Sequence, residues 1–282
     1  MATAKELKTR VKSLNNTKKI TSAMKMVSAS KLKKAKDASL KSKPYIEKIK
    51  EILARVQSSQ EEFKNPLLEK REQKNSLFLL FSSDRGLCGA FNNSLFKFFN
   101  EKKSIANNNF DVLVVGKKAK DYINRFNIKP IKFYEGVAAK PTFIEASQIS
   151  SFAMNDFLEK KYDYIYVVYN HFVSTLSQKP TLLQLLPIIS EEKDEANKPL
   201  DYIYEPDKNK IIDHLLPKQI SLQVFQCMLD NAAGEHAARM TAMESSTKNA
   251  KDLIKTLTLK MNRARQAAIT TELIEVVAGA SL

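Results

Sequence analysis

The sequence predicts an α/β fold in which a central α/β domain is carried between two long terminal helices that pair as an antiparallel coiled coil. Three observations predict it. Residues 3 to about 57 hold no glycine and a single proline, Pro44. Residues 76 to 206 alternate short apolar runs with helical stretches. From Pro217 to Ala278 there is one glycine, Gly234, and no further proline.

The first segment carries apolar residues at Leu7, Val11 and Leu14, then at Ile20, Met24 and Val27, then at Leu32 and Ala35. Steps of three and four give one long amphipathic helix, interrupted by the polar run Asn15 to Lys19. In the middle, Leu77–Phe81, Val112–Val115 and Tyr164–Val168 read as buried strands, and Leu182–Ile189 as a further one with Pro187 near its end. Segments 92–103, 117–126 and 143–160 read as the helices between them. Strand–helix–strand spacing of this kind predicts a mainly parallel sheet with helices on its faces, a Rossmann-like α/β domain. Residues 191–200 are a polar loop.

Pro217 is suited to the first position of a helix, and Gly279 to its end. About 60 helical residues would span roughly 90 Å at 1.5 Å each. One heptad phase runs through them: Phe225, Leu229, Ala232, His236, Arg239, Met243, Thr247, Ala250, Ile254, Leu257, Met261, Ala264 and Ala268. Alternating steps of four and three mark a coiled-coil seam, whose partner is expected to be the N-terminal helix. The predicted parts are 1–57 as N-terminal coiled-coil helix, 70–206 as α/β domain and 210–282 as C-terminal coiled-coil helix.

Charge adds a partner class. The net charge is +15, and residues 1–50 hold 15 Lys/Arg against 3 Asp/Glu. So basic a helix seeks an anionic partner. Residues 1–44 contain no aromatic side chain and no nucleic-acid-binding motif, which weighs against nucleic acid as that partner. No stretch approaches 18 uninterrupted apolar residues, so no membrane-crossing helix is expected. The two cysteines, Cys88 and Cys227, form no metal-ligand spacing or disulfide framework, which fits a reducing cytoplasm. The N-terminus lacks signal or transit character.

Catalytic patterns are missing from the sequence. There is no G-x-x-x-x-G-K-[ST] phosphate loop and no G-x-G-x-x-G. The glycine pair in Ser83-Asp84-Arg85-Gly86-Leu87-Cys88-Gly89-Ala90 follows a strand but lacks a phosphate-binding lysine, and reads as a tight structural turn. Cys88 reads as a small buried residue. His171, His214 and His236 are scattered and assemble no metal cluster or triad by spacing; His236 reads as a structural seam residue. No catalytic residue, cofactor or metal is therefore predicted.

Several segments carry a family resemblance. Ile20-Thr21-Ser22-Ala23-Met24-Lys25-Met26-Val27-Ser28-Ala29-Ser30-Lys31-Leu32 resembles the N-terminal signature of F-type ATP synthase gamma subunits. Ser83–Asn92 (SDRGLCGAFN) is similar to the family's first strand-to-helix turn, and Asp201–Pro206 (DYIYEP) to a segment just before its last helix. Glu235–Met243 (EHAARMTAM) and Asn262–Ala280 (NRARQAAITTELIEVVAGA) resemble its C-terminal signatures. The resemblance implies a rotary central stalk coupling proton flow through a c-subunit ring to ATP synthesis or hydrolysis on beta subunits. It would not be catalytic by itself. Its partners would be the alpha, beta and epsilon subunits and the c ring, with membrane association only through the complex, at the cytoplasmic face of a bacterial plasma membrane. Position by position it implies beta-subunit contacts at Met24, Lys25, Arg239, Arg265, Gln266, Thr270 and Glu272, and c-ring contacts at Tyr202, Tyr204 and Glu205. The rival readings are a basic coiled-coil nucleic-acid-binding or scaffold protein, and an α/β enzyme with coiled-coil dimerisation arms.

Overall fold

A computed structural model describes residues 3–58, 65–106, 109–188 and 208–280. The chain divides into two units, Met1–Ala29 with Arg239–Leu282, and Ser30–Ala238. Two helices contribute to both: α1 (Ala4–Ser58) and α5 (Lys208–Ala280).

In the Ser30–Ala238 unit, five strands form one sheet: β1 (Ser76–Phe81), β2 (Phe110–Val115), β3 (Lys132–Tyr134), β4 (Tyr164–Phe172) and β5 (Gln178–Leu186). Their order is β3-β2-β1-β4-β5. The first four run parallel, and β5 returns antiparallel beside β4. Every residue of β1 is buried, as a central parallel strand requires. Its side chains alternate between faces: Leu77, Leu79 and Phe81 enter one core, Phe78 and Leu80 the other.

The second core is closed by α2 (Phe91–Lys102) and α3 (Lys117–Asn124), through Leu95, Phe96, Phe99, Ala119 and Ile123. The first is closed by α4 (Phe143–Leu158), a short 3-10 helix at Pro66–Leu68, and parts of both long helices. The α4 helix starts on a capping box: Thr142 accepts from the Glu145 amide while Glu145 accepts from the Thr142 amide. Gly116 joins β2 to α3 at φ +96°, and a Cβ there would lie 2.7 Å from the Ser82 carbonyl oxygen, so only glycine fits.

Four sequence expectations are corrected here. The fifth strand begins at Gln178 and ends at Leu186, so Pro187 lies outside it; Pro180 sits within it, which an edge strand tolerates. The three-residue β3 was not expected, because it is too short to show a period. The last helix begins at Lys208, leaving Pro217 in its interior, and runs through Gly279 to Ala280. An interior proline costs about 3 kcal/mol. Ile212, Leu216 and Ile220 are all buried on either side of it, and each contributes about 1.5–3 kcal/mol, so packing wins. Finally, Phe225, Leu229, Ala232 and His236 lie in the α/β unit, with His236 buried and 3.3 Å from the Ala139 carbonyl oxygen.

A polar network ties both long helices to β4 within this unit. The Asp230 carboxylate meets the His171 Nδ1 at 2.7 Å and accepts from the Gln226 amide at 2.9 Å. Gln226 also donates to the Ser39 hydroxyl at 2.9 Å. Burial pushes the Asp230 carboxyl above its usual range, opposed by its hydrogen bonds to His171 and Gln226.

In the other unit, α1 and α5 are antiparallel: Thr21 meets Thr247 at 2.7 Å and Lys25 meets Glu244 at 2.6 Å. On α5, burial falls on Arg239, Met243, Thr247, Ala250, Ile254, Leu257, Met261 and Ala264, the predicted heptad phase up to Ala264; Ala268, the last position expected in the seam, is exposed and is corrected. On α1 it falls on Ala4, Leu7, Val11, Leu14, Lys18, Thr21, Lys25 and Ser28. The stripe expected at Ile20, Met24 and Val27 is therefore corrected at Ile20 and Val27, while Met24 is half-buried. Ile20 is 60% and Val27 57% exposed, whereas Thr21 is 8% and Ser28 3% exposed. Heptad phase governs which residues face the partner helix, and it outweighs the hydrophobicity of single positions.

Two predictions follow from this packing. Leu257→Asp with Met261→Asp places two charges in the seam, where an unpaired charge is costly. Helix melting followed by circular dichroism should show loss of the 4–29/239–264 pairing by several kcal/mol, and unchanged melting would contradict the seam. The raised Asp230 carboxyl means the folded protein holds that proton more tightly than the unfolded chain. Its favourable contribution is complete below the ordinary aspartate range and is lost as pH rises above it. In urea titrations from pH 4 to 7, the wild type should lose stability relative to Asp230→Asn. Parallel curves would contradict this.

Candidate functional site

In doubly wound sheets, ligands bind at the carboxyl ends of the strands where the winding direction reverses. That point here lies between β1 and β4, and the chain's own α5 fills it. The Asn231 side chain donates to the Ser82 carbonyl at 3.2 Å and accepts from the Asn170 amide at 3.3 Å. One turn on, Gly234 passes so close to the neighbouring elements that a Cβ would lie 3.1 Å from the Phe91 ring and 3.3 Å from Gln178. The Asn170 side chain donates to the Phe91 carbonyl at 3.2 Å.

The glycine turn is closed on itself in the same way. The Ser83 hydroxyl donates to the Arg85 carbonyl at 2.7 Å, and Asn92 contacts the Ser83 hydroxyl and the Cys88 sulfur at 2.8 and 3.2 Å. Cys88 and Cys227 are both buried. Leu87 at φ 61° and Gly89 at φ 58° complete a tight turn. Among the described residues, no three His, Cys, Asp or Glu gather as a metal site. What the crevice does is hold α5 against the sheet.

The surfaces left for partners include the outer faces of the helices. Met24 is half-buried at the margin of the seam, and Lys25 pairs with Glu244 with side chains 39% and 58% exposed. Arg239 is buried. Arg265, Gln266, Thr270 and Glu272 are all exposed, and the Thr270 hydroxyl donates to the Gln266 carbonyl at 2.9 Å. Tyr202, Tyr204 and Glu205 lie outside the described residues. The predicted positions thus form two groups, one around the Lys25–Glu244 pair and one along Arg265–Glu272.

Sequence reasoning missed the apolar side chains that stand beside these groups. Ile20, Met26 and Val27 are exposed on α1, flanking Met24. Ile269, Leu273, Ile274, Val276 and Val277 are exposed on α5. Ala4, where α1 begins, falls across from Ala264 when counted outward from Thr21–Thr247. From Arg265 to Ala280, α5 runs on for about 24 Å of helix at 1.5 Å per residue. Counting the heptad onward from Leu7, Val11 and Leu14 would have reached Thr21 and Ser28, and so released Ile20 and Val27 to the surface.

Comparison with known proteins agrees with this geometry. A family model described as ATP synthase matches residues 3–281. An ATP synthase gamma chain of Geobacter metallireducens is 44% identical over 99% of this chain and 98% of its own length. One from Pelotomaculum thermopropionicum is 39% identical over 100% and 99%. Among solved structures, a chain of the Euglena gracilis mitochondrial ATP synthase (OSCP/F1/c-ring, rotational state 3) superposes with TM-score 0.68 at 19% identity, covering 99% of this chain and 93% of that one. A Tetrahymena thermophila mitochondrial ATP synthase chain (central stalk/c-ring) superposes at 0.58 with 24% identity, covering 80% and 98%. These two likenesses concern the fold. No helix among the described residues is long and apolar enough to cross a membrane. The reading as a basic nucleic-acid-binding or scaffold protein finds no support, and the match extends through both terminal helices and the α/β unit between them: the chain belongs to the ATP synthase gamma chain family.

Proposed function

We propose that the chain is the rotary central stalk of an F-type ATP synthase, coupling ion flow through a c ring to ATP synthesis and hydrolysis on beta subunits. The observation that carries the reading is the long α5 segment, Arg265 to Ala280, exposed on the described sides and bearing both apolar and polar groups. Such a helix end suits a sleeve of surrounding subunits. In this reading alpha and beta form that sleeve. Residues 1–57 and 210–282 are the shaft, and residues 70–206 form the foot, held by epsilon and the c ring at the cytoplasmic face of a bacterial inner membrane. The chain contributes no catalytic group; its own ligand crevice is occupied by Asn231 and Gly234.

Contact chemistry follows from the requirement to turn. A shaft in a sleeve needs attraction that passes from one neighbour to the next without a deep well. Basic side chains against acidic loops provide this, because the interaction is long-ranged, shallow and screened over about 8–10 Å. Met24 and Lys25 are assigned to beta loops near the shaft base, together with Arg239, whose burial leaves little of it open to such a contact, and Arg265, Gln266, Thr270 and Glu272 to beta loops nearer its tip. Tyr202, Tyr204 and Glu205 are assigned to the polar loops of the c ring, on the resemblance of the segment Asp201–Pro206 alone.

Reconstitution tests the proposal. The purified chain alone should not hydrolyse ATP, while the chain with alpha and beta should restore steady hydrolysis. Met24→Lys should assemble normally yet pump fewer protons per ATP, since an added cation deepens one angular position; a well of about 1.4 kcal/mol changes an equilibrium tenfold. Hydrolysis by the rigorously purified chain would overturn the assignment, and unchanged coupling in Met24→Lys would overturn the placement of Met24.

A further inference from the structure

Charge is spread unevenly over the Ser30–Ala238 unit. Residues 91–132, which span α2, β2, α3 and the turns that join them, hold nine Lys or Arg against three Asp or Glu. Of those acids, Asp111 accepts from the Tyr162 hydroxyl at 2.6 Å and Asp121 is paired with Lys118 at 3.8 Å. The segments that lead into β1 and β4 differ, because their charges are matched: Glu69 pairs with Arg71, Glu72 with Lys74 and Asp156 with Lys161.

The excess meets exposed apolar side chains where α2 and α3 end. Lys102 closes α2, and Lys103 and Ile105 lie in the 3-10 turn behind it. Arg125 and Phe126 follow the last residue of α3. The two ends touch. The Lys103 Nζ stands 6.0 Å from the centre of the Phe126 ring, and Phe126, Tyr122 and Phe96 follow one another with ring centres 5.0 and 4.3 Å apart. Phe126 is 54% and Ile105 39% exposed. Among the described residues, Lys102, Lys103, Arg125 and Lys129 make no ion pair. Cations at helix C-termini complement the helix dipole. That does not account for Lys129, which belongs to no helix, or for Lys117, which stands in the first turn of α3 where the dipole disfavours it. Nor does it explain an exposed phenylalanine and isoleucine beside the cations.

We infer that this end of the α/β unit is a docking surface for an anionic phospholipid bilayer. The unpaired cations match acidic headgroups, and Phe126 and Ile105 supply apolar groups for the boundary beneath them, where aromatic side chains are favoured. The surface lies at the amino-terminal edge of the sheet, since α2 and α3 run back from the strand ends at which Asn231 binds the Ser82 carbonyl. Single-stranded nucleic acid is bound on successive stacking rings, whereas Tyr122 here is covered between Phe96 and Phe126 and one ring is left largely exposed. An acidic protein loop would satisfy the cations but gives no use to the exposed apolar pair. The inference deepens the proposed function and rests on it for the nearness of a membrane. It adds a direct lipid contact to attachment through the complex.

The chain contains no tryptophan, so Phe126→Trp in the full-length chain is a sole reporter. With vesicles of mixed phosphatidylglycerol and phosphatidylcholine, its emission should shift to the blue and be quenched by brominated acyl chains, and added salt should reverse both. Vesicles of phosphatidylcholine alone should do neither. A reporter placed by Phe143→Trp, at the start of α4, should stay unquenched. Replacing Lys102, Lys103, Arg125 and Lys129 together by Gln should weaken binding to the acidic vesicles by on the order of a hundredfold. Replacing the exposed α1 residues Lys31, Lys33, Lys34 and Lys41 by Gln removes the same charge and should weaken it by less than about fivefold, the effect of one charge at the surface. The inference is overturned by an unquenched Phe126→Trp chain, by equal quenching on neutral vesicles or of the Phe143→Trp reporter, by equal losses in the two glutamine sets, or by tighter binding to single-stranded DNA than to acidic vesicles at the same salt. The assay contains neither alpha nor beta subunits, so a negative result counts against the lipid contact and not against the rotor reading, which reconstitution tests.

Discussion

Two helices that pair only with each other cover a narrow seam, about two positions in every seven. That geometric limit shapes the whole Met1–Ala29/Arg239–Leu282 unit. Leu7, Thr21, Ser28, Met243 and Ala250 are buried in it, and most other side chains remain in solvent, apolar ones included. Ile20, Val27 and Leu273 are exposed, with no third element among the described residues of the unit to cover them. A compact domain would treat such residues as defects. In the proposed shaft they are assigned to the surface that faces the sleeve.

The same helices behave differently in the Ser30–Ala238 unit, where a sheet is present. There Ile49, Leu53, Ile212, Leu216 and Ile220 join one continuous core with the β1 and β4 side chains. The ligand crevice typical of this fold becomes a structural joint, with Asn231 bridging Ser82 and Asn170. An α/β architecture known for binding ligands thus serves here as a mount for a helix. The Ser39–Gln226–Asp230–His171 network adds polar specificity to that mount.

Much of this was legible in the sequence because the elements are long and their periods strong. The heptad from Met243 to Ala264 matched the observed burial position for position, and β1 and β4 were marked by dense apolar runs. The failures have physical causes. Ile20 and Val27 were assigned inward because hydrophobicity was read residue by residue, while the seam follows its heptad phase and accepts Thr21 and Ser28. Pro217 was read as a helix start because local propensity favours it there, but buried neighbours on both sides carry the helix through. The antiparallel direction of β5 depends on the tight turn at Ser174–Ser177, which carries no glycine to announce it. The Asn231 bridge could not be foreseen, since it joins residues 149 positions apart.

The central claim is that this chain turns as a body while its neighbours carry out the chemistry. The most direct measurement fixes alpha and beta to a surface, places a single cysteine at the exposed Lys97 of the α/β unit in a background with Cys88 and Cys227 replaced by alanine, and attaches a bead there. On addition of ATP the bead should rotate continuously in one direction, at a rate that follows hydrolysis. Steady ATP hydrolysis in the same complexes with a stationary bead would contradict the account.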